Sequence, residues 1–450
     1  MPRLLCVLCF ALCFTGLLHA ENAPDYIELK GAGAVYIAHF SPDGKRILTG
    51  DSSTMFGFSI RTNWQLWDAE SGKELAKMVG MFGGFASDGK KFAITSFDET
   101  SSAEITRIRD TESGKELRKL EGGFRKFSSD GTKIVTSGHV TVGYGETRIW
   151  DTASGKELHR LEGYFTNFSP DDKKVITVSD SIHIYDVESG KELKKLEGRF
   201  RDSHAYISHD GTKMVTSTGG GTSIRTVRIW DAESGEELHK FEGYSASVFF
   251  SLDMKKILVN TRGESRILDA DSKKVLHKFE GTFSDDSPDG TKIVMTSQEG
   301  ASVWDIESGQ ELLKLEHHHS IDAYFALEGR KIVTSHLHGG TERIWDVKSG
   351  KELKLQGGFP SFSPDGQTIM TRSDDGVHIW DAESGKELGR LGEGSEVAVS
   401  CAVFSPDGKK IVTSIGTLSE EEDSPQLSYT VRIWDLSTTF TEPPSEEGEK

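Results

Sequence analysis

The chain has 450 residues, enough for two or three ordinary domains or for one large repeat array. Hydrophobic residues at 35 % together with 48 glycines exclude a thick helical core and suit many short strands joined by tight turns. A net charge of −18 leaves no basic stripe of the kind that tracks a phosphate backbone, so no nucleic-acid partner is expected.

Residues 1–20 differ from the rest of the chain. Arg3 precedes an apolar stretch from Leu4 to Leu18, and Ala20 offers a small residue for cleavage, the pattern of a secretory signal. The stretch is about 15 residues, short of the roughly 20 that span a bilayer, so no stable membrane insertion is expected. A secreted or periplasmic location is the consequence, with a buried first helix or an uncleaved anchor as the alternative. Cys6, Cys9 and Cys13 belong to this segment, which leaves Cys401 alone in a mature chain without an internal disulfide. Cys401 reads as a packed thiol.

From residue 21 to 436 one unit recurs. A short strand ends at a Ser-Pro-Asp-Gly reversal such as Ser41-Pro42-Asp43-Gly44, and a β-branched run such as Lys410-Ile411-Val412-Thr413-Ser414 comes next. After a variable loop comes an alternating strand such as Val431-Arg432-Ile433-Trp434. A second reversal of the Ala382-Glu383-Ser384-Gly385 kind leads into a charged fourth strand such as Lys351-Glu352-Leu353-Lys354-Leu355. An anchoring aspartate marks each unit at Asp68, Asp110, Asp151, Asp186, Asp231, Asp269, Asp305, Asp346, Asp381 and Asp435. These ten anchors give a mean spacing of about 41 residues, the period of a four-stranded blade.

The pairs Trp67-Asp68, Trp150-Asp151, Trp230-Asp231, Trp304-Asp305, Trp345-Asp346, Trp380-Asp381 and Trp434-Asp435 resemble the WD-repeat β-propeller family, and the likeness covers roughly residues 26–436. The resemblance implies an all-β propeller of about ten four-stranded blades in one ring. Two smaller propellers, or fewer regular blades, are the alternatives. Tyr26-Ile27-Glu28-Leu29-Lys30-Gly31 resembles a fourth strand, whereas the last unit stops at Asp435, so the N-terminal strand is expected to close the ring. Arg109, Tyr185 and Leu268 replace the tryptophan in three units. The family's Gly-His pair is missing, as at Gly122-Gly123 and Gly163-Tyr164, so its buried hydrogen-bond chain is not expected and the blades should rest more on packing. First strands are long at Val35–Phe40 and Val397–Phe404 and compressed between, as at Phe359-Pro360-Ser361-Phe362, which predicts a wide channel or blades that are effectively three-stranded.

The resemblance also implies that the loop entering a blade and the loop between its second and third strands share one face. Insertions fall in the latter at Asp51–Asn63, Asp98–Glu104, His139–Glu146, Gly219–Thr226 and Gly416–Tyr429, where binding surfaces commonly form. Met55, Phe56, Phe58, Ile60 and Tyr144 are the expected partner contacts. His317, His318 and His319 on one entering loop and His336 and His338 on the next loop of that unit form a candidate metal or small-ligand site. Glu420-Glu421-Glu422-Asp423 reads as a solvated acidic loop tip, and residues 437–450 as a disordered acidic tail. No nucleophile elbow, metallohydrolase pair or phosphate loop occurs, and no cofactor is expected. The reading is a non-enzymatic, monomeric scaffold for a protein partner. A propeller enzyme with a channel site assembled across blades, or a sensor using the histidine face, are the alternatives.

Overall fold

The two reversals of each repeat are stabilised by their own side chains. At the first, the Ser405 hydroxyl donates to Asp407 Oδ1 (2.6 Å), the Lys410 N–H donates to Ser405 Oγ (2.9 Å), and Gly408 takes φ 71°. At the second, Asp151 Oδ1 accepts the Ser154 N–H at 2.7 Å while the Gly155 N–H donates to the Asp151 carbonyl at 2.9 Å. Both are side-chain-capped turns that the Ser, Asp and Gly positions encode. Each reversal turns the chain back on the strand just made, and the result is a meander of four antiparallel strands.

A computed structural model of the protein describes residues 26–51, 62–98, 101, 103–138, 145–196, 204–208, 210–218, 224–244, 247–251, 255–261, 264–270, 272, 274–316, 320–336, 342–392, 397–418 and 427–436. It is a ten-bladed β-propeller in which every blade is a four-stranded antiparallel sheet. Blade 1 comprises Ile37–Phe40, Arg46–Gly50, Asn63–Asp68 and Glu74–Val79. Blades 2 to 9 occupy 81–121, 123–162, 164–196, 204–244, 247–280, 282–315, 320–353 and 358–391. Blade 10 joins Val397–Phe404, Lys410–Leu418 and Leu427–Asp435 to Tyr26–Glu28, which is its outermost strand.

The core is distributed among the blade junctions. Trp150 of blade 3 packs with Ile108 and Leu120 of blade 2, Trp230 of blade 5 with Ile176 and Ile184 of blade 4, and Trp434 of blade 10 with Met370 and Ile379 of blade 9. The same step closes the circle, because Trp67 of blade 1 packs with Val412, Val431 and Ile433 of blade 10. That contact excludes two five-bladed rings. Burying an indole removes about 200 Å² from water, on the order of 5 kcal/mol gross at about 25 cal/mol per Å². Second strands such as Lys133–Gly138 are buried along most of their length because a blade covers each side, whereas fourth strands such as Glu116–Glu121 form an exposed, charged rim.

Two expectations need correction. The compressed first strands do not leave three-stranded blades: Phe124 pairs with Thr136 and Phe127 with Ile134, with a bulge between Phe124 and Lys126 that absorbs the mismatch. Nor is length confined to the ends, since blade 1 starts with the short Ile37–Phe40 and blade 8 with the seven-residue Ser320–Ala326. The buried hydrogen-bond chain is also present in altered form. Trp150 Nε1 donates to Thr136 Oγ1 (2.8 Å), and that hydroxyl donates to the Glu121 carbonyl (2.7 Å). Trp380, Thr371 and the Gln356 carbonyl repeat the relay at 2.8 and 2.6 Å. A backbone carbonyl thus accepts from each threonine, so the chain without a Gly-His pair has no orphaned hydroxyl at these two positions. Where Arg109 and Leu268 replace tryptophan, Ile94 and Val259 replace the threonine, and the pair is lost together.

Candidate functional site

The two faces of the ring are built differently. On one, the connections are short reversals of near-constant length, such as 41–45, 128–132 and 405–409, and 69–73, 152–156 and 382–386. On the other, the connections between second and third strands range from 262–263, 298–299 and 374–375 to 98–103, 139–145, 419–426 and 51–62. The three longest belong to blades 1, 10 and 3, of which blades 10 and 1 meet at the closing seam, and blades 2 and 8 carry six residues each, at 98–103 and 337–342. Two expected insertions are partly strand: blade 10 pairs Gly416 with Tyr429 and Leu418 with Leu427, and blade 5's third strand begins at Ile224. The second and third strands of blade 10, nine residues each, are therefore longer than the five or six of blades 9 and 1. In blade 10 the Tyr429 hydroxyl lies 3.3 Å from that of Tyr36, a contact that pushes the Tyr429 phenol up to about 12.

A cleft of about 780 Å³ opens on this variable face between blades 2 and 3. Phe97, Asp98, Ser101, Glu104, Lys119 and Arg148 line it. On one side Lys119 of the fourth strand ties to Asp98 at 3.3 Å. On the other side Arg148 bonds Glu121, and that guanidinium holds the Glu121 carboxyl below the usual range. One exposed aromatic ring among charges of both signs is a surface suited to a polar polypeptide segment rather than to an apolar ligand.

Two buried histidines sit in arrangements that imitate a catalytic triad. His378 is completely buried; Nδ1 lies 2.8 Å from Glu387 Oε1, and Nε2 lies 2.8 Å from both Ser373 Oγ and Asp375 Oδ1. His183 repeats this with Glu192 at 3.2 Å and Ser179 at 3.0 Å. Each ring stacks on the aromatic residue two positions on, Trp380 or Tyr185, with interplanar angles of 14° and 12°. In other blades the same third-strand position carries arginine facing the same glutamate: Arg107 to Glu116 at 3.2 Å and Arg228 to Glu237 at 3.1 Å. The Ser373 hydroxyl donates to Asp375, so its proton points at a carboxylate rather than at the imidazole. These histidines stand in for an arginine. The sequence signal was available, as His183 and His378 precede Ile-Tyr-Asp and Ile-Trp-Asp where other units have Arg.

Met55, Phe56, Phe58, Ile60, Tyr144, His317, His318, His319 and His338, the acidic tip 420–423, the leader 1–20 and the tail 437–450 lie outside the described residues. His336 ends the strand Lys331–His336 and pairs with Ser320; its side chain is also outside the described set. Among the described residues no group of three or more His, Cys, Asp or Glu is placed to hold a metal ion. Cys401 is buried, and burial pushes its thiol up to about 11, which suppresses the reactive thiolate.

No family model matches the chain, and no curated protein matches it in sequence. Among solved structures it is similar to a crystal structure of the eukaryotic initiation factor, with TM-score 0.53 and 17 % identity over 74 % of this chain and 94 % of that one. A second, a dihydro-heme d1 dehydrogenase, NirN, in complex with DHE, gives TM-score 0.39 and 14 % identity over 66 % of this chain and 74 % of that one. At these identities the first likeness shows the fold alone, and the second carries no argument.

Proposed function

We propose that this chain is an exported WD-type repeat propeller that serves as a non-enzymatic scaffold, binding a protein partner on its variable face. The observation that carries this reading is the asymmetry of the two faces: near-constant reversals on one, and long connections around the 780 Å³ cleft on the other. The Trp-Asp ends and the tryptophan–threonine relay support the repeat family. The two histidine arrays give no support to an enzymatic reading, because each imidazole occupies a position that carries arginine in other blades and the Ser373 hydroxyl donates to Asp375. Capture from a native extract tests the reading. The wild-type bait should retain a specific protein, a bait with Asp98→Lys and Lys119→Glu should lose it, and Lys156→Glu on the opposite face should keep it. Recovery of no specific protein, or loss only with Lys156→Glu, would refute the proposal.

A further inference from the structure

Phe359 is the most exposed large apolar residue among those described, at 67 %, and it is held at φ 52°. A bulky L-residue in the left-handed region is strained, and an exposed ring recovers little by burial. The residue lies at the start of the first strand of blade 9, Gly358–Phe362, within a bulge between Gly358 and Ser361 at the end of the strand nearest the variable face. The corresponding Phe124, Phe165 and Phe283 of other blades pack against the core of their junctions, whereas Phe359 is turned outward.

Its surroundings hold it in place. The Arg372 guanidinium lies over the ring, 4.7 Å from the centroid. Among the described residues the Arg372 side chain forms no ion pair, in contrast to Arg46, Arg107, Arg148, Arg228, Arg266 and Arg390, each of which meets a carboxylate. Burial raises the Glu342 carboxyl of blade 8, against the opposing pull of the nearby Phe359 backbone N–H and the Arg372 charge. Its Oε2 is buried with no hydrogen-bond partner among the described residues. The Tyr324 hydroxyl, on the first strand of blade 8, is close enough to feel the Glu342 charge. A strained aromatic with one free face, a guanidinium over its other face and a carboxylate oxygen buried without a partner among the described residues together form a built site at the junction of blades 8 and 9.

We infer that this corner binds a neutral saccharide, with a pyranose ring stacked on the free face of Phe359 and its hydroxyls accepting from Arg372. The C–H face of a pyranose complements an aromatic face, and its hydroxyls can both accept from a guanidinium and donate to a carboxylate. An anionic ring ligand is disfavoured by Glu342 beside the site and by the net charge of −18. Arg372 and Phe359 contact the ligand; Glu342 is a positioning residue. The ring recognised can belong to a free oligosaccharide or to the surface of an insoluble polysaccharide.

Saturation-transfer NMR with cellotriose, maltotriose, chitotriose and galactobiose, and co-sedimentation with cellulose, starch and chitin, test the proposal and separate the two sources. At least one arm should show binding. Phe359→Ala should abolish it, Phe359→Trp should keep it, and Arg372→Met should weaken it at least tenfold. Glu342→Gln should weaken binding by a smaller factor while leaving the stacked orientation, read from the pattern of C–H transfer, altered rather than lost. Thermal unfolding unchanged in Phe359→Ala separates lost contact from lost fold. Absence of binding in every arm, binding that survives Phe359→Ala, or preference for benzoate over all the sugars would overturn it.

Discussion

The ring of Tyr26 lies against the indole of Trp434, centroids 5.0 Å apart, although the two residues sit near opposite ends of the chain. The Arg432 guanidinium covers the same tyrosine at 4.3 Å, and Ile27 pairs with Ile433 across the strands. Three residues of N-terminal strand therefore cover an edge that a propeller would otherwise leave open to other chains.

Tyr26→Ala should destabilise the ring by about 1–2 kcal/mol, since an aromatic pair is worth about 0.5–1.5 kcal/mol beyond area burial. Cysteines at the paired positions, Glu28→Cys with Arg432→Cys, should form an intramolecular disulfide on oxidation and raise the melting temperature. Differential scanning fluorimetry with and without reductant reads both effects. A disulfide that forms only between molecules would deny the closure.

The tryptophan relay makes a separate prediction. Thr136→Val keeps the shape of the side chain but leaves the buried Trp150 Nε1–H without its acceptor, which costs about 1–3 kcal/mol. The double variant Thr136→Val with Trp150→Leu, which imitates the apolar Val259 and Leu268 pair of blade 6, should cost less than the sum of its two single changes. Urea unfolding of the single and double variants gives the coupling; additive costs would remove the relay from the stability of the junction.

His378 is replaceable by the residue it imitates. His378→Arg should retain most of the stability, whereas His378→Ala strips a buried partner from Glu387 and Asp375 and should cost about 1–3 kcal/mol. If any hydrolytic activity is found, it should survive both Ser373→Ala and Ser179→Ala. Loss of such activity in either variant would restore an enzymatic role to the arrays.

Acid should unfold the protein through its turns. Hydrogen bonds from Ser128, Ser287, Ser349 and Ser373 hold Asp130, Asp289, Asp346 and Asp375 down at about 2. A carboxylate depressed in the folded state contributes stability above its unfolded value, about pH 4, and that contribution is lost as the pH falls towards 2. Burial raises Asp285, Asp286 and Glu342, which work in the opposite sense but are fewer than the turn aspartates. Melting temperature against pH should be level above about pH 5 and fall steeply below pH 4. A melting temperature that rises on acidification would contradict this balance.

The blades and their closure were legible because the signals are local and repeated. Ser-Pro-Asp-Gly and Asp-x-x-Ser-Gly each specify a capped reversal, and Tyr26-Ile27-Glu28 carries the pattern of a missing fourth strand. The bulges between Phe124 and Lys126 and between Gly358 and Ser361 were not legible, because a bulge depends on how a short strand meets its partner. The relay was hidden because its terminal acceptor is a backbone carbonyl with no side-chain signature. Phe359 reads as one more apolar residue of a short strand; only its exposure and its φ set it apart. The loop residues marked as contacts rest on insertion length alone, which locates a face and not a set of side chains.

Site-specific photocrosslinking compares the two faces most directly. A photoreactive residue at Ser101, on the rim of the cleft, and another at Ala153, in a reversal of the opposite face, can be irradiated in a native extract. Binding through the variable face predicts a discrete protein adduct from position 101 and none from position 153. Adducts from position 153 alone, or none from position 101, would contradict it.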